Sequence, residues 1–91
     1  MTEEHFAAVV SSADAKKGAD GWWTSPGRHV TFYISAAGSS LTVSRVEAMR
    51  LDGPFLKAKT VRGELFVLAL EDVFAGAVDG ETQSARRAGF G

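Results

Sequence analysis

Six side chains are suited to binding chemistry: Arg45, Lys57, Lys59 and Arg62, with the tandem Trp22 and Trp23. Lys57 and Lys59 lie two apart, so in a strand they share one face, and Arg62 sits at the turn that follows. Arg45, on a neighbouring strand, can align with them. Cations beside an exposed indole make the phosphate-contacting, base-stacking platform of single-strand nucleic-acid binders. The competing assignment is a solvated basic face opposite Glu47 and Glu64. It is favoured because the whole chain carries a net charge of −1, and near neutrality opposes nonspecific nucleic-acid binding. The chain has no Asn and a single Gln, Gln83, so the amide partner for adenine is nearly absent. Nucleic acid is a candidate partner but not the favoured one.

The inventory for catalysis is thin. There is no Cys, and the two histidines, His5 and His29, fall in the first turn of a predicted helix and at the start of a predicted strand. No zincin motif, nucleophile elbow or phosphate-cradling glycine loop occurs. Glu71-Asp72 could ligate a cation, but adjacent acids at a tight strand junction more often solvate it. No catalytic residue, metal ligand or cofactor is assigned, and a non-enzymatic protein is expected.

These residues need a scaffold, and composition bounds it. Ninety-one residues make one domain, with 45% hydrophobic residues and no disulfide or cysteine-held metal to staple it. A chain of this size buries only about 60–65% of the surface its unfolded state exposes, so it needs a compact core or a partner. Most of the large apolar residues fall between Val30 and Val78. Charge is uneven: residues 28–63 hold Arg28, Arg45, Arg50, Lys57, Lys59 and Arg62 against Glu47 and Asp52, while both ends are acidic. Such a basic middle could bind an anion, or be neutralised by its own ends or a neighbouring subunit. No apolar run reaches the length of a membrane span, and the acidic start does not read as a secretory signal. A cytoplasmic protein with no membrane partner is expected.

Along the chain, Thr2 is a good N-cap, Glu3 and Glu4 suit the first helical turn, and Phe6, Val9, Val10 and Ala13 form an apolar stripe. With Lys16 and Lys17 in the last turn and Gly18 as the stop, the pattern predicts a helix over 2–17. Residues 18–27 read as a Trp/Gly loop, in which one of the two adjacent tryptophans can join the core while the other covers a second surface. The barrel is predicted over 28–78. Val30, Phe32 and Ile34 alternate with polar neighbours, as in a half-buried strand. Between Leu41 and Leu51 no single parity survives, which predicts a β-bulge or sharp bend near Ser44–Val46. Phe55–Val61, Glu64–Leu70 and Val73–Val78 complete five strands. The fourth is apolar on both faces, with Phe66, Leu68 and Leu70 on one side and Leu65, Val67 and Ala69 on the other, so both faces must be covered. Residues 1–80 form the domain, and 81–91 read as a disordered polar tail.

The fold class is therefore mainly β, α+β by content: an N-terminal helix followed by a five-stranded, strongly bent antiparallel small barrel. An open antiparallel sheet with the helix packed on one face is the alternative.

This layout resembles the Sm-like family, including its Hfq-like bacterial branch. Val30-Thr31-Phe32-Tyr33-Ile34, followed by Gly38 and Leu41, is similar to the first Sm motif; Leu68-Ala69-Leu70-Glu71-Asp72-Val73 loosely resembles the second. The resemblance implies a barrel whose fourth and fifth strands pair edge to edge with neighbours in a ring. No basic-histidine pair precedes Val73, so it carries over no RNA-contacting residue. Apolar residues on a small barrel's outer face call for a partner chain, and the interface candidates are Phe66, Leu68, Leu70, Val73 and Phe74. The expected function is an assembly or protein-binding module that forms a homo-oligomer. The alternatives are an Sm-like RNA or single-stranded DNA binder, and a small-ligand-binding or enzyme accessory subunit with a pocket under the tryptophan loop.

Overall fold

Thr2 opens the helix by accepting the backbone N–H of His5 on its hydroxyl at 3.0 Å, which satisfies one of the free donors of the first turn. The computed structural model describes residues 1–80, so the polar tail expected over 81–91 lies outside the described residues. Helix α1 spans Glu3–Ser12, and the predicted stripe of Phe6, Val9, Val10 and Ala13 is buried.

The helix is shorter than the predicted 2–17. Asp14 takes a left-handed φ of 54°. Its N–H bonds to the Ser11 carbonyl at 3.1 Å and that of Ala15 to the Val10 carbonyl at 2.9 Å, the paired bonds of a Schellman stop. Aspartate is among the few non-glycine residues that tolerate this backbone, so the chain leaves the helix well before Gly18. The Ser25 hydroxyl donates to the Ala13 carbonyl at 2.9 Å, and Arg28 donates to that of Ser12 at 3.5 Å. Both satisfy acceptors at the helix end. Lys16 and Lys17, predicted in the last helical turn, instead form strand β1 (Lys16–Lys17), antiparallel to β2 (Trp23–Thr24).

The remaining strands are β3 (Arg28–Ala36), β4 (Ser39–Asp52), β5 (Phe55–Thr60), β6 (Leu65–Ala69) and β7 (Val73–Gly80), with a 3-10 turn at Leu70–Asp72 between the last two. All pairings are antiparallel, in the order β6-β5-β4-β3-β7. The sheet curls strongly into a half-barrel. Among the described residues β6 pairs only with β5, β7 only with β3 and β1 only with β2, so each of these strands keeps an open edge.

β4 creates the curl. Ser39–Val46 pairs with β3, Val46–Asp52 pairs with β5, and Ala48 and Met49 also pair with β2 where β3 has ended. The predicted bend is present. Arg45 has a φ of 57°, and the register with β3 slips between Val30↔Val46 and Phe32↔Val43. A second slip, against β5 between Val46 and Ala48, leaves Glu47 exposed beside two buried residues. Each extra residue flips the inward parity, which is how Val43, Val46 and Met49 all reach the core.

The β3–β4 turn is the two-residue Ala37-Gly38, with φ of 50° and 83°, a type I′ geometry that favours Asn-Gly. Ala37→Asn is expected to raise stability by about 0.5–1 kcal/mol. The check is a higher urea midpoint with an unchanged slope; a lower midpoint would refute the turn assignment.

The core joins both layers: Phe6, Val9, Val10 and Ala13 from α1 meet Val30, Phe32, Ile34, Val43, Val46, Met49, Leu56, Ala58, Leu68 and Val73 from the sheet. Close approach of the helix depends on Gly76 of β7. A Cβ there would lie 2.9 Å from Val9 Cγ2 and 3.4 Å from Phe32 Cε1. Among the described residues, no helix is long and apolar enough to cross a membrane.

Candidate functional site

The two tryptophans part as adjacent strand residues must. Trp23, opposite Met49, packs against the core. It walls a cleft of about 550 Å³ with Phe6, Val10, Ala15 and Leu51, where the Lys17 ammonium lies 6.0 Å from its ring centre. Trp22 faces the other way, over a polar hollow with Asp20, Thr24, Glu47, Ala48 and Lys59. Its backbone N–H donates to Asp20 Oδ1 at 3.1 Å, and the Arg50 guanidinium stands 5.9 Å from its ring centre while donating to the Asp20 carbonyl at 3.2 Å. Arg50 therefore holds the tryptophan loop onto β4 through a cation–π contact and a hydrogen bond. Reading the sequence for binding residues overlooked it, although a second parity change after Val46 would have put Arg50 on the outward face with Lys57, its cross-strand partner.

The four predicted cations do not form one platform. Lys57 makes an ion pair with Asp52 at 2.9 Å. The hydrogen bond from Lys57, and then its charge, hold the Asp52 carboxyl below the usual carboxylate range, with Arg50 adding a smaller pull in the same direction. Lys59 shares the Trp22 hollow with Glu47 and Asp20. The basic outer face of β5 is thus interleaved with carboxylates from the same sheet and from the tryptophan loop. Arg45 and Arg62 come together elsewhere, across a cleft at the β4 bend.

The interface candidates divide as well. Val73 is fully buried and Leu68 nearly so, while Phe66 and Leu70 are half-buried against the core. The side chains of Leu68 and Val73 belong inside the subunit, which corrects the expectation that these two face a neighbour. The cause is cross-strand parity: Leu68 pairs with Leu56 and Phe66 with Ala58, and both partners are fully buried. Phe74 is 59% exposed and does face outward, 6.3 Å from Tyr33 between ring centres. The outward apolar residues of β6 are Leu65 and Val67, 55% and 54% exposed.

No protein-family model, curated protein or solved structure matches this chain. The site must therefore be read from its own geometry. His5 and His29 are both exposed, and among the described residues no three His, Cys, Asp or Glu side chains gather as a metal site. The geometry offers two open sheet edges lined with apolar side chains, an apolar cleft beneath Trp23, and an arginine cleft at the β4 bend.

Proposed function

We propose that this chain is a non-enzymatic small-barrel assembly module that self-associates by joining β6 of one copy to β7 of the next. The observation that carries the reading is the coincidence of open edges and apolar exposure. Among the described residues β6 and β7 each have one strand partner, and Leu65, Val67 and Phe74 on them are the most exposed large apolar side chains. Open edges with apolar outer faces are templates for pairing. Natural sheets guard such edges with charge or proline, and the outward face of β6 has neither, since Leu65 and Val67 occupy it.

A contact between two different edges is head-to-tail, so it generates a ring when the rotation closes and a filament when it does not. The Sm-like resemblance implies the same use of the last two strands. It is supported here by the strand order and by the near-absence of a loop between β6 and β7, which the 3-10 turn bridges.

Light scattering across a concentration series tests the reading. The wild-type chain is expected to give a mass of several subunits, and Val67→Lys/Phe74→Lys a monomer with an unchanged circular dichroism spectrum. A wild-type chain that stays monomeric at high concentration would refute self-association.

A further inference from the structure

The β4 bend places two arginines at one cleft, and we infer that this cleft binds the phosphoryl group of a small phosphate monoester of mononucleotide size. The cleft measures about 490 Å³ and is lined by Thr42, Val43, Ser44, Arg45, Thr60, Arg62, Glu64 and Phe66. Neither Arg45 nor Arg62 has an ion-pair partner among the described residues, although Glu64 lies at the same cleft. Among the described residues the β4 edge facing away from β3 has no strand partner from Ser39 to Ser44. The hydroxyls of Thr42 and Ser44 therefore flank backbone that the sheet does not use.

The cleft is pre-organised. Arg45 is a non-glycine residue in the left-handed region within a strand, a conformation that costs free energy and would suit glycine better. Its carbonyl accepts the Val61 N–H at 3.0 Å, which ties the bend to the β5–β6 turn. Within that turn, the buried Thr60 hydroxyl accepts the N–H groups of Arg62 and Glu64, each at 3.3 Å, and donates to Glu64 Oε1 at 3.4 Å. Both arginine-bearing backbones are thus fixed relative to each other before any ligand arrives, which lowers the ordering cost of binding.

The chemistry selects the ligand class. A planar carboxylate is satisfied by one guanidinium fork, whereas two forks and two hydroxyls supply donors from several directions, as a tetrahedral phosphoryl group requires. The volume lies within the range of about 300–1,000 Å³ typical of small-molecule sites, more than a bare anion fills. The remainder offers the exposed part of Phe66 for an apolar or aromatic body, and Glu64 as an acceptor for a ligand hydroxyl. Glu64 also sets a limit: a second anionic group next to it would be repelled, which favours a monoester over a polyphosphate.

The test is titration of the full-length chain at low salt with uridine monophosphate, uridine and inorganic phosphate, followed by amide shifts in two-dimensional NMR. The monophosphate is expected to bind, moving residues 42–45 and 60–64, with phosphate weaker and uridine silent. Arg62→Gln and Arg45→Gly are each expected to weaken binding by about tenfold or more, since each removes a charged hydrogen-bond donor. Arg45→Gly distinguishes binding from folding, because glycine relieves the backbone and the variant should melt no lower than wild type. Lys57→Gln, outside the cleft, should bind as wild type does. The inference is overturned if uridine binds as well as its monophosphate, if Lys57→Gln loses as much as Arg62→Gln, or if only a longer oligonucleotide binds.

Discussion

Truncating Phe32 to alanine is expected to cost the fold about 3–5 kcal/mol, the range for removing a fully enclosed aromatic ring. Phe32 has no solvent exposure and lies on the central strand of the β4-β3-β7 half of the sheet, opposite Val43 on one side and Gly76 on the other. Its ring fills the space that a side chain at Gly76 would occupy, since a Cβ there would stand 3.4 Å from Phe32 Cε1. Truncation therefore leaves a void under α1 that neither the glycine nor the sheet backbone can collapse to fill. Single domains have total stabilities of about 5–15 kcal/mol, so this loss would leave a small domain partly unfolded at room temperature. Urea denaturation of Phe32→Ala beside Phe32→Leu checks it. Leucine retains most of the volume and should lose much less, and equal losses for the two variants would contradict the packing account.

Replacing Gly76 by valine is expected to be comparably severe for the opposite reason. Its Cβ alone would come 2.9 Å from Val9 Cγ2 and 3.4 Å from Val9 Cγ1, closer than side chains pack, and valine adds two methyl groups beyond it. The helix must lift from β7 or Val9 must leave its rotamer; overpacking of this kind costs about 1–3 kcal/mol and occasionally more. The helix is short and has a narrow apolar stripe, so it depends on docking for its stability. The expected signature is a loss of helical ellipticity at 222 nm together with a lower melting temperature. Val9→Ala should restore part of the loss in the Gly76→Val background, because residues in contact do not contribute additively. A double variant no better than the sum of its parts would show that the helix does not close on Gly76.

Local chemistry made much of this fold legible. Thr2 caps the helix as its type and place predict, and the stripe from Phe6 to Ala13 is the buried one. The failing parity between Leu41 and Leu51 marked the bend, and the left-handed residue falls at Arg45 within the predicted stretch. The split of Trp22 and Trp23 to opposite surfaces followed from their adjacency. The end of the helix was not legible, because Gly18 is the stronger stop by type, yet Asp14 ends the helix once Ser25 and Arg28 supply acceptors' partners at its terminus.

The candidate sites were less legible than the strands. Lys57 and Lys59 do share a face, but Asp52 from β4 takes up Lys57, and Glu47 and Asp20 share the hollow that Lys59 lines. Arg45 and Arg62, seventeen positions apart in the chain, meet because the bend and the β5–β6 turn are joined by one backbone hydrogen bond.

By itself the sequence determined where the five longer strands run, where β4 bends and which side chains share a face, but not the short β1 and β2, because period-two alternation and turn chemistry depend on near neighbours alone. Only the tertiary structure decided which of the two apolar faces of β6 lies inside. That choice rests on the parity of β5, on the curl set by two bulges and on the helix seated over Gly76, all of which are contacts between residues distant in the chain. The outcome turned Leu68 and Val73 into core and left Leu65, Val67 and Phe74 on open edges, where the case for a partner now rests.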